Sequence, residues 1–244
     1  MKIIKPQITD SEYRQYELPS VTEICRRAAA LSAFQYWNSE KVVDTASIRL
    51  GLLFDALVTK VDLDRFVVAE SKSSRSKKFS EEKQILDAGK LLVTQEEWDK
   101  AQQMQASFVS HPIIKSILDR SQFQVACIDK ENVIKGKCDL IYNNGLDDVI
   151  YDIKTTSDIE RFPYTVRDMR YDMQLAAYMS LFGIRDGGWL VIETSPPYEV
   201  QIYRMLNKTY ENALADFEIY HKVFLIEREN EEKRNKRTTE VKYI

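Results

Sequence analysis

Apolar residues recur at helical spacing through the first half of the chain and switch to strand spacing near residue 121. Ser20-Val-Thr-Glu23 has the spacing of a capping box, and Ile24, Ala28, Leu31 and Phe34 or Gln35 then follow a helical period. This predicts a helix through Tyr36, preceded by an extended N-terminal arm ending at Pro19. Residues 47–60 carry two helical stripes, one of Leu50, Phe54 and Leu57, the other of Ile48, Leu52, Asp55 and Thr59. Residues 66–69 are strand-like. Residues 81–91 and 94–118 read as helices, the second opened by Thr94-x-x-Glu97 and interrupted at His111-Pro112, where proline removes a backbone donor. His111 and His221 both lie in helical stretches and read as surface or packing residues.

From Ser121, Gln122, Gln124 and Ala126 alternate with Phe123, Val125 and Cys127, the period of a half-buried strand. Residues 133–142 and 149–154 extend this into an antiparallel meander across an Asn143-Asn144-Gly145 turn. A helix over 166–182 and strands over 189–193 and 199–205, split by Ser195-Pro196-Pro197, come next. A last helix starts at Asn207 and is expected to dissolve into mixed charge over 227–236. The pattern implies one domain over 1–244, with an N-terminal arm and helix (1–45), a core (46–222) and a charged tail (223–244). The fold class is α/β in the α+β sense: a central mixed, mostly antiparallel sheet flanked by helices.

Composition narrows the setting. A chain of 244 residues with 44% hydrophobic content can build a sizeable core without staples. Cys25, Cys127 and Cys138 lack the spacing of a zinc site or disulfide framework and fit a reducing cytoplasm. No apolar leader or membrane-length apolar run occurs, so neither a membrane partner nor export by a classical signal is expected. With a net charge of −3, polyanion binding would have to use local clusters of the 35 basic residues.

Aspartate is depleted from strand interiors, yet two adjacent predicted strands carry Asp139 and Asp152, and Lys154 follows two residues after the second. Residues two apart in a strand share a face, so Asp152 and Lys154 point the same way. Two carboxylates beside an amine can hold a divalent metal on oxygen ligands while the lysine orients or deprotonates a water, which is phosphodiester hydrolysis chemistry. The plainer reading is a structural ion pair. Asp55, in an otherwise apolar helix, is costly to bury unless it meets a cation, a metal or several donors, and otherwise reaches water at the edge of its stripe. Lys72, Arg75, Lys77 and Lys78, interleaved with serines, form either a set of phosphate contacts or a solvated loop.

These residues together resemble the PD-(D/E)XK nuclease superfamily and, within it, the RecE-type exonucleases (exodeoxyribonuclease VIII) of phages and prophages. The resemblance runs from about Leu50 to Tyr220. Gly51-Leu-Leu-Phe-Asp55-Ala-Leu is similar to the family's Gly-x-x-x-His-Ala-Leu helix, Lys135-Gly-Lys-Cys-Asp139-Leu-Ile to its second motif, and Asp152-Ile-Lys154-Thr-Thr to its Asp-x-Lys-Thr-Thr core. Gln174-Leu-Ala-Ala-Tyr178 is similar to its helical Gln-x-x-x-Tyr motif. Two departures stand out: Asp55 replaces a metal-binding histidine, and Gln122 stands where a glutamate is expected at the start of the first strand.

The resemblance implies a nuclease core in which Asp139, Asp152 and the Ile153 carbonyl hold Mg²⁺ (Mn²⁺ as a substitute), with Asp55 as a further ligand. It implies that Lys154 positions the water, and that Gln174 and Tyr178 hold the strand or brace the metal shell. It further implies digestion of linear double-stranded DNA from 5′ ends to leave 3′ single strands for an annealing protein, in a ring-shaped homo-oligomer within a bacterial cytoplasm. Two other readings share the core: a CRISPR-associated or RecB-like nuclease, against whose iron–sulfur cluster the scattered cysteines argue, and a catalytically silent DNA-binding or assembly protein.

Overall fold

The alternating middle of the chain forms the centre of one mixed sheet, in a computed structural model that describes residues 2–38 and 45–230. The N-terminal elements are β1 (Lys2–Lys5), α1 (Asp10–Arg14), α2 (Val21–Ala29), α3 (Ala33–Asn38) and α4 (Ala46–Thr59). There follow β2 (Phe66–Val68), α5 (Lys77–Gln84), β3 (Leu91–Val93), α6 (Gln95–Ser110) and α7 (Pro112–Leu118). The meander is β4 (Ser121–Asp129), β5 (Ile134–Asn143) and β6 (Asp148–Thr156). The chain then continues through α8 (Phe162–Asp168), α9 (Tyr171–Phe182), β7 (Gly187–Glu193), β8 (Val200–Arg204) and α10 (Asn207–Glu229).

The sheet order is β1-β4-β5-β6-β7-β8, antiparallel throughout except between β6 and β7. Parallel neighbours need a crossover, which α8 and α9 supply. The mixed, mostly antiparallel sheet expected from the alternation is therefore the one that forms. Helices α2, α9 and α10 cover one face, packing Ile24, Leu175 and Phe217 on Val125, Cys138 and Ile150. Helices α4 and α6 cover the other, where Phe54 and Phe108 meet Leu140, Tyr151 and Leu190. Strands β2 and β3 pair in parallel as a separate ribbon, with Leu92 packed on Phe79 of α5. Among the described residues, no helix is long and apolar enough to cross a membrane.

Several expected boundaries shift for identifiable reasons. The N-terminal arm is not merely extended: β1 pairs with β4, and the chain then passes over that strand through Gln7 N–H to Phe123 O and Ile8 N–H to Gln124 O, at 3.0 and 3.1 Å. The first long helix breaks at Ala30, whose backbone is extended, so Leu31 is 72% exposed instead of buried. The helix expected over 81–91 starts earlier, capped by Ser76, and ends at Gln84, because the apolar run 91–93 pairs with β2. The helix expected over 166–182 begins at Phe162 and divides at Arg170, whose backbone is left-handed.

The end of the last helix shows the largest change. Helix α10 continues to Glu229, and Glu227 is buried, accepting two hydrogen bonds of 2.7 Å from the buried Arg27 and one of 2.9 Å from Trp37 Nε1. A charged run looks solvated until its partner, far away in sequence, is known. The rest of the expected tail, 231–244, lies outside the described residues. The histidines have the packing roles expected: His111 caps α7, and His221 stacks on Phe217.

Candidate active site

The pairing of β5 with β6 stops at Leu140 and Tyr151. Beyond that point β5 continues along β4 and β6 along β7, so the two strands splay apart. Asp139 sits at the fork and replaces the lost ladder: its Oδ2 accepts the Ile153 N–H at 2.7 Å. A strand residue's N–H and C=O lie on the same side, so the Ile153 carbonyl also faces the fork. Asp152 and Lys154 share a face, as the two-residue period requires, and form an ion pair. The fork opens toward both helical layers, which is how α4 brings Asp55 while α9 brings Gln174 and Tyr178 to one cavity of about 210 Å³.

Gln122 is not the glutamine at this site. Gln122 is exposed, whereas Gln124 is 3% exposed and its Nε2 donates to Asp55 Oδ2 at 2.9 Å and Asp139 Oδ1 at 3.4 Å. The cause is a left-handed backbone at Gln124 (φ 46°), which switches the strand between faces. Phe123 consequently joins the α4 and α6 layer while Val125 and Cys127 join the α2 and α9 layer, so the strict alternation predicted across 121–128 breaks there. An amide thus bridges two carboxylates.

Close approach of α9 depends on Gly136. A Cβ there would lie 2.7 Å from Leu181 Cδ2 and 3.2 Å from the Tyr178 ring, so the glycine of the Lys-Gly-Lys stretch admits the helix carrying Gln174 and Tyr178. Gln174 Nε2 donates to Tyr178 Oη at 3.3 Å and to Thr22 Oγ1 at 3.1 Å. The two motif residues therefore act as one polar unit, braced by α2, on the wall facing Asp152.

Burial dominates the electrostatics. It pushes the Asp55 carboxyl up to about 7, with Asp152 adding to the effect and Lys137 and Lys154 opposing it. Burial, followed by Asp55 and Asp152, pushes Asp139 well above the usual carboxylate range. For Lys154, burial works against the charge, but Asp152 and Asp139 outweigh it and hold the amine above its ordinary value. Lys154 is therefore an ammonium at neutral pH. It can orient a water or stabilise negative charge, whereas the deprotonating role open to a lysine at this position is disfavoured in this arrangement.

Among the described residues, no three His, Cys, Asp or Glu side chains stand close enough to form a ready-made metal cage. The donor set nevertheless fits a hard divalent cation that completes its shell with water or substrate. Asp55 Oδ1 is buried and accepts no hydrogen bond, whereas Asp152 Oδ2 is buried against the Lys154 ammonium. A buried carboxylate oxygen in the condition of Asp55 Oδ1 is costly unless a cation satisfies it.

The basic run lies elsewhere. Lys72 and Arg75 are exposed on the loop before α5, Lys77 stands 3.4 Å from Glu81, Lys78 bonds Glu70 at 3.0 Å, and none of the four lines the cavity at the fork. Polar residues with no site role read from the sequence also line it, among them Asp10, Thr22, Arg65 and Lys137. Lys137 carries a signal, since it precedes Asp139 by two on the same strand. The other three arrive through tertiary packing and leave none. A larger cavity of about 770 Å³ adjoins the site, sharing Val61 and Asp62 with it and bordered by Lys60 and Lys115.

No protein-family model matches this chain, and no curated protein does. Among solved structures, a candidate exonuclease from Eubacterium rectale is similar over 91% of this chain and 86% of its own, at 16% identity and a TM-score of 0.62, which shows a shared fold. A phage-related exonuclease from Haemophilus somnus aligns over 88% of this chain and 98% of its own, at 13% identity and a TM-score of 0.35, too low to bear on the fold.

Proposed function

We propose that this chain is a metal-dependent nuclease acting on linear double-stranded DNA. The observation that carries the reading is the fork between β5 and β6, where Asp139, Asp152 and Lys154 converge on one cavity with the orphaned Asp55 oxygen. The fold shared with the Eubacterium rectale protein, itself described as a candidate exonuclease, supports it. The resemblance to RecE-type exonucleases extends it to 5′-to-3′ digestion, a ring-shaped homo-oligomer and an annealing partner for the 3′ strands left behind.

In this reading Asp139, Asp152 and the Ile153 carbonyl would hold Mg²⁺, or Mn²⁺ in its place, with Asp55 as a further oxygen ligand. Bound there, the ion supplies Lewis acidity toward a phosphoryl oxygen and lowers the pKa of a coordinated water. Lys154, held as an ammonium against the Tyr171 ring at 4.7 Å and paired with Asp152, donates to the attacking water and stabilises charge developing on the phosphoryl group. Gln124 donates to both Asp55 and Asp139, which bridges them and eases the repulsion between their carboxylates. Gln174 and Tyr178 orient the strand from the opposite wall. Exposed Lys72 and Arg75 would grip backbone phosphates farther out.

One observation favours a catalytically silent DNA-binding protein: an amide, Gln124, stands beside Asp139 where a charged ligand would strengthen metal binding. The test is incubation of 5′-labelled linear and circular duplex with Mg²⁺, with and without chelator. The nuclease reading predicts metal-dependent release of label from linear DNA and an intact circle. Binding without release from either substrate supports the silent protein.

A further inference from the structure

Asp10 lies on the wall of the catalytic cavity, although it belongs to none of the motifs read from the sequence. Its Oδ1 meets Lys137 Nζ at 2.5 Å and its Oδ2 meets Arg65 Nη1 at 2.6 Å, with the exposed Arg14 at 4.0 Å from Oδ2 and Asp62 at 3.8 Å from Arg65 Nη1 as looser neighbours. Lys137 and Arg65 are reachable from solvent, with side chains 15% and 23% exposed. A phosphodiester group likewise presents two oxygens that share one negative charge on one atom, and cations disposed in this way are what recognise it. Lys137 precedes Asp139 by two residues on β5, so the pair stands on the same wall as the carboxylates proposed to hold metal.

The Asp10 side chain, not the segment that carries it, is what a ligand would move, because Lys135 Nζ donates to Tyr13 O at 3.0 Å and to Tyr16 O at 2.6 Å and holds that backbone in place. Helix α1 has five residues and buries none of them. Its first residue is held by Lys137, by Arg65 and by its own N–H, which donates to Asp62 Oδ2 at 2.8 Å. Charge balance permits an exchange. Five aspartates and three cations line the cavity, and replacing the Asp10 carboxylate by a singly charged phosphodiester leaves that balance unchanged. A carboxylate serving only as a tether has no need to engage two cations inside the catalytic cavity.

We propose that Lys137 and Arg65 form a phosphate-binding pair beside the catalytic carboxylates, and that Asp10 occupies it as an internal surrogate which the substrate strand displaces. The proposal rests on the nuclease reading, because it takes the ligand to be a nucleic-acid phosphate. Its test is binding of a fluorescein-labelled linear duplex by the full chain in chelator, where no hydrolysis consumes the probe, across a salt series. Asp10→Asn keeps the backbone bond to Asp62 and removes the competing charge. It should bind roughly tenfold tighter than wild type, with a salt dependence steeper by about 0.9 for each additional phosphate that is neutralised. Adding Lys137→Gln and Arg65→Gln to that variant should erase the gain. Asp10→Ala, with melting curves recorded for every protein, repeats the comparison in case the asparagine keeps the bridge.

Duplexes with phosphorylated and with hydroxyl 5′ ends separate two sources of the same chemistry. A gain on both assigns the pair to an internal phosphodiester, and a gain only on the phosphorylated end assigns it to a terminal phosphate. Wild type that binds duplex while folded Asp10 variants bind no tighter overturns this proposal and leaves the nuclease reading in place. So does a gain that survives loss of both cations. Absence of binding by every variant overturns both.

Discussion

Replacing Asp55 with asparagine should stabilise the metal-free protein, and only above acidic pH. The Asp55 carboxyl has an ordinary pKa of 3.8 and a folded value of about 7. Between the two, the native state keeps a proton that the unfolded chain has released, so stability falls as pH rises through that window and the whole penalty is present above it. At 1.36 kcal/mol per pKa unit the gap is worth roughly 4 kcal/mol, an upper figure because the new amide must find its own partners beside Gln124. For a chain of this size about 2–4 °C of melting temperature accompanies each kcal/mol, so Asp55→Asn should melt roughly 10 °C above wild type at about pH 8 and close to it near pH 4. Mg²⁺ should reverse the comparison. A ligand at a hundred times its Kd adds about 2.7 kcal/mol, and wild type, with the additional carboxylate, should gain more than the variant. Melting curves over a pH series in chelator and then in Mg²⁺ measure both effects. Parallel pH curves for the two proteins, with equal gains from metal, would refute the reasoning and return Asp55 to a residue that merely faces water.

Three further outcomes follow from other parts of the structure. Glu227→Ala removes the carboxylate that pairs the buried Arg27 guanidinium and should cost about 3–5 kcal/mol, read as a lower urea midpoint; a loss under about 1 kcal/mol would mean that α10 does not dock on α2. Neutralising Lys72, Arg75, Lys77 and Lys78 together should flatten the salt dependence of DNA binding by about 0.9 for each phosphate no longer neutralised, with Lys72 and Arg75 dominating because Lys77 and Lys78 already face Glu81 and Glu70; an unchanged slope assigns the run to a solvated loop. Tyr178→Phe removes a hydroxyl that meets Gln174 and Thr22 and should cost about 1 kcal/mol of stability while lowering kcat, as should Gln174→Ala; full activity in both would make them packing residues.

Much of the sheet is legible in the sequence because its signals are local. The period-two alternation, the Asn-Asn-Gly turn and the two-residue spacing of Asp152 and Lys154 need no knowledge of distant chain. Gln124 is not legible as the site glutamine, since a single left-handed residue reverses the strand faces and no residue type in 121–128 announces it. The same limit hides β1, whose four residues are a strand only because the edge of β4 is free to pair, and β3, whose three residues continue a helical pattern until β2 lies beside them. Glu227 reads as solvated charge because Arg27 lies at the other end of the sequence. Asp10 and Arg65 reach the cavity at the fork through the path of the arm and of the turn after α4, and polar residues on irregular segments carry no period to read.

The central claim is that Asp152 and Lys154 perform hydrolysis rather than form a structural ion pair, and turnover of linear duplex DNA by the two alanine variants tests it most directly. With Mg²⁺ present and each variant shown to fold and to bind DNA, Asp152→Ala and Lys154→Ala should both release no label above the no-enzyme control while wild type digests the substrate. Turnover by either variant comparable with wild type at matched concentration would contradict the account.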